Sequence, residues 1–120
     1  MKISHFEDLI AWQKSQELAV KVYKVFSRNK DFGFKNQICN AAVSISNNIA
    51  EGFEREGKKE FARFLIYAKG SCGEIRSMIY LAFRLQFIND DERDLFLNDC
   101  REISRIIKGL HKKVIAQIKV

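Results

Sequence analysis

Between Phe61 and Gln86 the residues Phe61, Leu65, Ala68, Cys72, Ile75, Ile79, Ala82 and Gln86 recur at alternating steps of four and three. That spacing draws one continuous stripe down an α-helix, the stripe by which helices pack along one another. The far side of the same helix carries Ile66, Gly70, Gly73, Ser77 and Leu81, with Arg63 and Arg84 only towards its ends. A surface helix would be charged there, and a helix that is apolar or small nearly all round is usually buried on more than one side. A chain of 120 residues has little material for burying it twice, so a partner is expected.

The rest of the chain reads as helix as well. It holds no proline and six glycines, so it has few breakers of long helices. Helix one is predicted over about 8–28, with Ser4 and Glu7 at capping-box spacing and a stripe of Trp12, Ala19, Val22 and Phe26. The polar stretch Asn29 to Gly33 is read as a turn. Helix two is predicted over 34–53, with Phe34, Ile38, Ala41, Ile45, Asn48 and Gly52 in its seam. A second stripe of Cys39, Val43, Ser46 and Ala50 lies elsewhere on that helix, and no charge occurs between Asn36 and Ala50. Solvent-facing surface rarely avoids charge for so long. Helix three is predicted over 59–87. Helix four is predicted over 90–118, opened by the capping-box pair Asn89 and Glu92 and closed by lysines, which suits the helix dipole.

Four long amphipathic helices with short links predict an all-α, antiparallel up-down-up-down four-helix bundle, with residues 1–120 as one domain. The unexplained small and apolar faces predict assembly into a homo-oligomer. The contact residues expected are Cys39, Val43, Ser46 and Ala50 on helix two and Ile66, Gly70, Gly73 and Ser77 on helix three.

Catalysis and metal chemistry find little support. Lys69-Gly70-Ser71-Cys72-Gly73-Glu74 superficially suggests a nucleophile turn, but that turn needs a strand before it, and here it sits within a helical heptad. The chain has two histidines, His5 and His111, and no Glu-x-x-His pair, phosphate loop or dinucleotide fingerprint. No metal site and no cofactor is expected. The three cysteines are odd in number and lie on or beside apolar stripes, which fits free thiols in a reducing, cytoplasmic compartment. No leader and no membrane span is expected. Asn48, Glu51, Arg55 and Glu74 are read as a structural hydrogen-bond network that sets helix register.

The formal net charge is +6. Lys58, Lys59, Arg63, Lys69, Arg76 and Arg84 face only two acids, Glu60 and Glu74, over the same stretch. Rows of this kind can track a phosphate backbone, and these six are the candidate nucleic-acid contacts.

Several short segments occur in a telling order: Phe6-Glu7-Asp8-Leu9, Trp12-Gln13-Lys14, Ala41-Ala42-Val43-Ser44-Ile45, Asn48-Ile49-Ala50-Glu51-Gly52, Glu60-Phe61-Ala62-Arg63-Phe64-Leu65 and Gly70-Ser71. With them the chain resembles the 23S rRNA intervening-sequence protein family over nearly its whole length. The resemblance implies a small bacterial four-helix bundle that assembles as a ring-like homopentamer, has no enzyme activity and binds structured RNA. It also implies a branch that serves as a nucleic-acid-binding accessory subunit of a retroelement reverse transcriptase, and the alternative reading is a protein-interaction or accessory subunit with no direct sequence-specific nucleic-acid role. Two features depart from the family pattern. Cys39 and Asn40 stand where arginines are usual, and Ser46-Asn47 replaces a proline-containing step, so a straighter helix two is expected.

Overall fold

The computed structural model describes residues 2–118. A short 3-10 turn, Phe6–Asp8, precedes four helices: α1 (Ile10–Phe26), α2 (Phe32–Glu54), α3 (Lys58–Arg84) and α4 (Asp90–Ala116). There is no strand among the described residues. The molecule measures 49 × 22 × 21 Å, so helices of 27 residues must lie along its long axis. α3 packs most extensively on α2 and α4, α1 lies mainly on α2, and the α1–α4 seam is thinner.

All four helices feed one core. Val22, Ile38, Ile45, Ile49, Leu65 and Ile75 are fully buried there, each side chain contributing roughly 1.5–3 kcal/mol of transfer free energy. Aromatic rings close the ends. Phe26 meets Phe34 at a tilt and Phe34 meets Phe87 edge-on at one end, and Phe53 meets Phe61 edge-on at the other. α2 and α3 approach so closely at Gly52 that a Cβ added there would lie 2.5 Å from Cβ of Phe64. Only glycine fits that crossing.

The helix ends differ from the expected ones for identifiable reasons. α1 starts at Ile10 because Phe6–Asp8 winds as 3-10; Leu9 is its N-cap, and no Ser4–Glu7 box forms. The Gln13 amide secures this entry by donating to the Glu7 carbonyl at 2.9 Å. α2 begins at Phe32, ahead of the expected start, because the Asp31 carboxylate caps it by accepting from the Phe34 N–H at 3.0 Å; Gly33 is therefore inside the first turn. α2 then runs unbroken through Ser46-Asn47. Gly57, at φ +88°, turns the chain into α3, a conformation open mainly to glycine. α4 opens on a formed capping box: Asn89 accepts from the Glu92 N–H at 2.8 Å, and Glu92 accepts from the Asn89 N–H at 2.9 Å.

α3 stops at Arg84, short of the expected end. The Phe87 N–H donates to the Ala82 carbonyl and the Gln86 N–H to the Phe83 carbonyl, at 2.9 and 3.0 Å. This pair of bonds is a Schellman closure with Gln86 in the left-handed region at φ +64°. Gln86, expected at the end of the seam, is exposed in the turn.

Candidate nucleic-acid interface

The six expected basic contacts all lie on α3, and all are exposed. They are not equivalent. Arg63 is gripped by Glu60, its Nε and an Nη each donating to a carboxylate oxygen at 2.8 Å. It also donates to the Tyr67 hydroxyl at 3.0 Å and lies over the Phe64 and Tyr67 rings. The hydrogen bond from Arg63 holds the Glu60 carboxyl below the ordinary carboxylate range. A phosphate would have to displace that carboxylate to use Arg63. Lys58, Lys59, Lys69, Arg76 and Arg84 have no ion-pair partner among the described residues.

α4 adds cations beyond the six expected contacts. Two rows of its side chains flank its buried stripe. On the α1 side stand Asp99 and Glu102, and both are neutralised: Lys21 reaches Asp99 at 3.0 Å and Lys14 reaches Glu102 at 3.3 Å. On the α3 side stand Leu97, Arg101, Ser104, Lys108 and His111, with no acid among them. Arg101 donates to the Tyr80 hydroxyl of α3 at 3.1 Å. Further along, Lys108 and His111 meet Lys69 in an open cleft of about 450 Å³ floored by Leu65, Ile66 and Ile107. Nε2 of His111 is buried without a hydrogen-bond partner among the described residues. The signal for these residues was present in the i, i+3, i+7 spacing of Arg101, Ser104 and Lys108. It was masked because basic residues late in a helix already suit its dipole.

The polar residues expected as one network are distributed over three separate contacts. Asn48 donates to the Ser44 carbonyl of its own helix at 2.8 Å. Arg55 pairs with Glu51 one turn away at 2.8 Å and lies over the Phe64 ring. Glu74 is exposed and accepts a long 3.5 Å bond from Gln37. Hydroxyls make the closer inter-helix links: Ser44 to Ser71 at 2.5 Å, and Gln16 to Ser46 at 2.9 Å.

The expected oligomer contacts also divide. Cys39 and Ser46 are buried within the chain, Ser46 to 1% exposure, because α1 covers that side of α2. Val43 and Ala50 are half-buried. The α3 set is open: Ile66 is 57% exposed, Gly70, Gly73 and Ser77 are exposed, and nothing lies within 4 Å of a Cβ built on either glycine. Leu81 continues this outward apolar strip.

Cys39, Cys72 and Cys100 are free and buried. Burial pushes the Cys72 and Cys100 thiols up to about 12, so neither supplies a thiolate nucleophile at neutral pH. No group of three or more His, Cys, Asp or Glu side chains suited to a metal occurs among the described residues. No described helix is long and apolar enough to cross a membrane.

The family model described as 23S rRNA-intervening sequence protein matches residues 7–109. The chain belongs to that family. A solved structure from Bacteroides thetaiotaomicron, described as a protein of unknown function from the S23 ribosomal protein family, is similar over 86% of this chain and 99% of its own. The two share 26% identity and superpose with a TM-score of 0.80. No curated protein matches the chain. Neither the family nor the structural neighbour points to an enzymatic class. Within the motif Asn48-Ile49-Ala50-Glu51-Gly52, Ile49 is a fully buried core residue and Gly52 is the α2–α3 crossing point.

Proposed function

We propose that this member of the 23S rRNA-intervening sequence protein family is a non-enzymatic RNA-binding protein that works as a homo-oligomer in the cytoplasm. The observation that carries the reading is charge segregation. Lys69, Arg76 and Lys108 are exposed and lack carboxylate partners among the described residues, whereas Asp99 and Glu102 of α4 are paired with lysines of α1 on its other flank. Lys58, Lys59 and Arg84 extend the basic surface along α3, and Arg63 contributes less because Glu60 holds it. A surface of this kind binds polyanions through counterion release.

The up-down-up-down antiparallel arrangement is part of the proposal. It is supported by the order of inter-helix contacts. Gln37 meets Glu74 and Ser44 meets Ser71, while Gly52 meets Phe64, so positions rise along α2 as they fall along α3. The homo-oligomer, a ring of five by family resemblance, is supported by the open strip of Gly70, Gly73 and Ser77, with Leu81 exposed beyond it. A ring would present several basic surfaces to one RNA, and linked sites raise avidity without new contacts.

Affinity for RNA measured across a salt series tests the reading. The expected slope of log affinity on log salt is about −0.7 per phosphate contacted on a single strand. Lys69→Glu with Arg76→Glu is expected to weaken binding to different sequences alike and to flatten that slope. A salt-independent affinity would remove the proposal. The same open strip favours a second reading, an accessory subunit that docks on a nucleic-acid enzyme. A pull-down that survives nuclease, together with no RNA affinity of the protein itself, would select it.

A further inference from the structure

We infer that the valley between α3 and α4 is a single-strand RNA site, with cationic rails for the phosphates and the exposed Ile66 and Tyr80 side chains for the bases. This rests on the RNA-binding reading and narrows it to one groove and one form of ligand. The rails come from both helices: Lys69 and Arg76 from α3, Arg101 and Lys108 from α4. No carboxylate stands on the facing rows between the Tyr80–Arg101 contact and the Lys69–Lys108 cleft. Glu74 turns towards Gln37 of α2, and Asp99 and Glu102 turn towards lysines of α1. Eleven residues separate Lys69 from Tyr80, so the cleft and the ring lie about 16 Å apart along α3 at 1.5 Å per residue.

The form of the ligand follows from the apolar and aromatic surface left open between the rails. Leu65 and Ile107 lie buried beneath the cleft, and Ile66, 57% exposed, is the apolar side chain a base can reach there. Such surface beside charged walls suits a strand whose bases can turn inward while its phosphates stay at the rim. A duplex hides its bases and offers phosphates and ribose hydroxyls to a broad surface. It would meet the lysines and leave Ile66 and Tyr80 uncontacted. Tyr80 supplies a stacking platform. Its ring is 46% exposed, and the bond from Arg101 holds its hydroxyl in place. A fixed ring beside a planar guanidinium is the pairing on which unstacked bases rest.

The test uses the full chain in its native assembly. Fluorescence anisotropy would compare a labelled oligouridine of about 12 nucleotides with an RNA duplex of equal length. The single strand is expected to bind about tenfold tighter or better. Arg101→Glu with Lys108→Glu should reduce its affinity at least about tenfold. Lys24→Glu, an exposed charge reversal on α1, should change it less than about threefold. Tyr80→Ala should cost about tenfold and Tyr80→Phe much less, because the phenyl ring still stacks. All four positions are exposed, and circular dichroism would verify that each variant keeps its fold. RNA binding that is indifferent to the α4 reversals, or tighter for the duplex, would overturn this inference and leave the RNA-binding reading standing. Failure of the wild-type protein to bind either RNA would overturn both.

Discussion

Gly52 of α2, packed against α3, and Gly70 of α3 itself mark opposite faces of α3, and an added methyl group would meet opposite surroundings. At Gly52 it would strike Phe64 Cβ at 2.5 Å and approach the Phe61 ring at 3.3 Å. At Gly70, and at Gly73 one turn on, it would meet nothing within 4 Å. The inward face of α3 is thus filled to contact by α2 and α4. The outward face, with Ile66 and Leu81 exposed beside the two glycines, has no such neighbour. One glycine is present because the core has no room. The other two leave room that this chain does not use.

The largest effect should fall on the filled side. Gly52→Ala forces α2 and α3 apart or drives Phe64 off its rotamer, and overpacking of this kind costs about 1–3 kcal/mol. A urea titration would read it as a lower midpoint with an unchanged slope. An unchanged midpoint would show that the crossing has slack and would weaken the contrast between the two faces.

The buried thiols probe the same inward face through pH. Cys72 and Cys100 are raised by burial from the ordinary 9.0 to about 12 in the folded chain. The sign follows from the direction of the shift. The folded state favours the protonated thiols, so their contribution is intact below about pH 9 and is lost as pH climbs towards about 12. Stability of the wild type should therefore fall more steeply between about pH 8 and about pH 10.5 than that of Cys100→Ala. Parallel slopes would mean that the thiols are wetter than their burial implies.

On the open side the sign reverses. Gly70→Ala and Gly73→Ala remove two helix-interior glycines without a clash inside the chain, a gain of about 0.8–1.0 kcal/mol each in helix propensity. If another subunit's backbone lies against them, the same methyl groups should loosen the assembly. Light scattering over a dilution series would then show smaller particles made of a more stable chain. Assembly unaffected by both substitutions would exclude these glycines from the contact.

Much of this was legible in the bare sequence, and the misses have physical causes. The four amphipathic stripes announce four helices because a period of three and four persists over many turns, and the Asn89–Glu92 box announces where α4 begins. The second stripe of α2 was harder to assign. Periodicity says that Cys39 and Ser46 are covered, but not by what, and the cover is α1 of the same chain. The polar residues misled for a related reason. Asn48, Glu51 and Arg55 can satisfy themselves within one helix, and spacing alone cannot separate that from a cross-helix bond. The basic groove was half visible. The α3 row stood out because acids are scarce there, whereas on α4 the acids and bases alternate in sequence and separate only once the helix is wound.

The smallest effect belongs to the C-terminal end of α3, where the inward seam gives out. By periodicity Gln86 is the next seam residue after Ala82, yet the chain has already turned, and Gln86 occupies the left-handed region at φ +64°. Glycine signals this closure, and glutamine at the site conceals it. Gln86→Gly would relieve a conformation that side chains with a Cβ adopt reluctantly, against a greater loss of freedom on folding. The net should be a gain of about 0.5 kcal/mol, read as a slightly higher urea midpoint. A residue on the filled face would respond the other way, since glycine inside a helix costs about 1 kcal/mol relative to alanine and would also leave a void. The sign of this one small shift therefore states on which side of the boundary Gln86 lies, and a loss of stability would extend the packed face of α3 past Arg84.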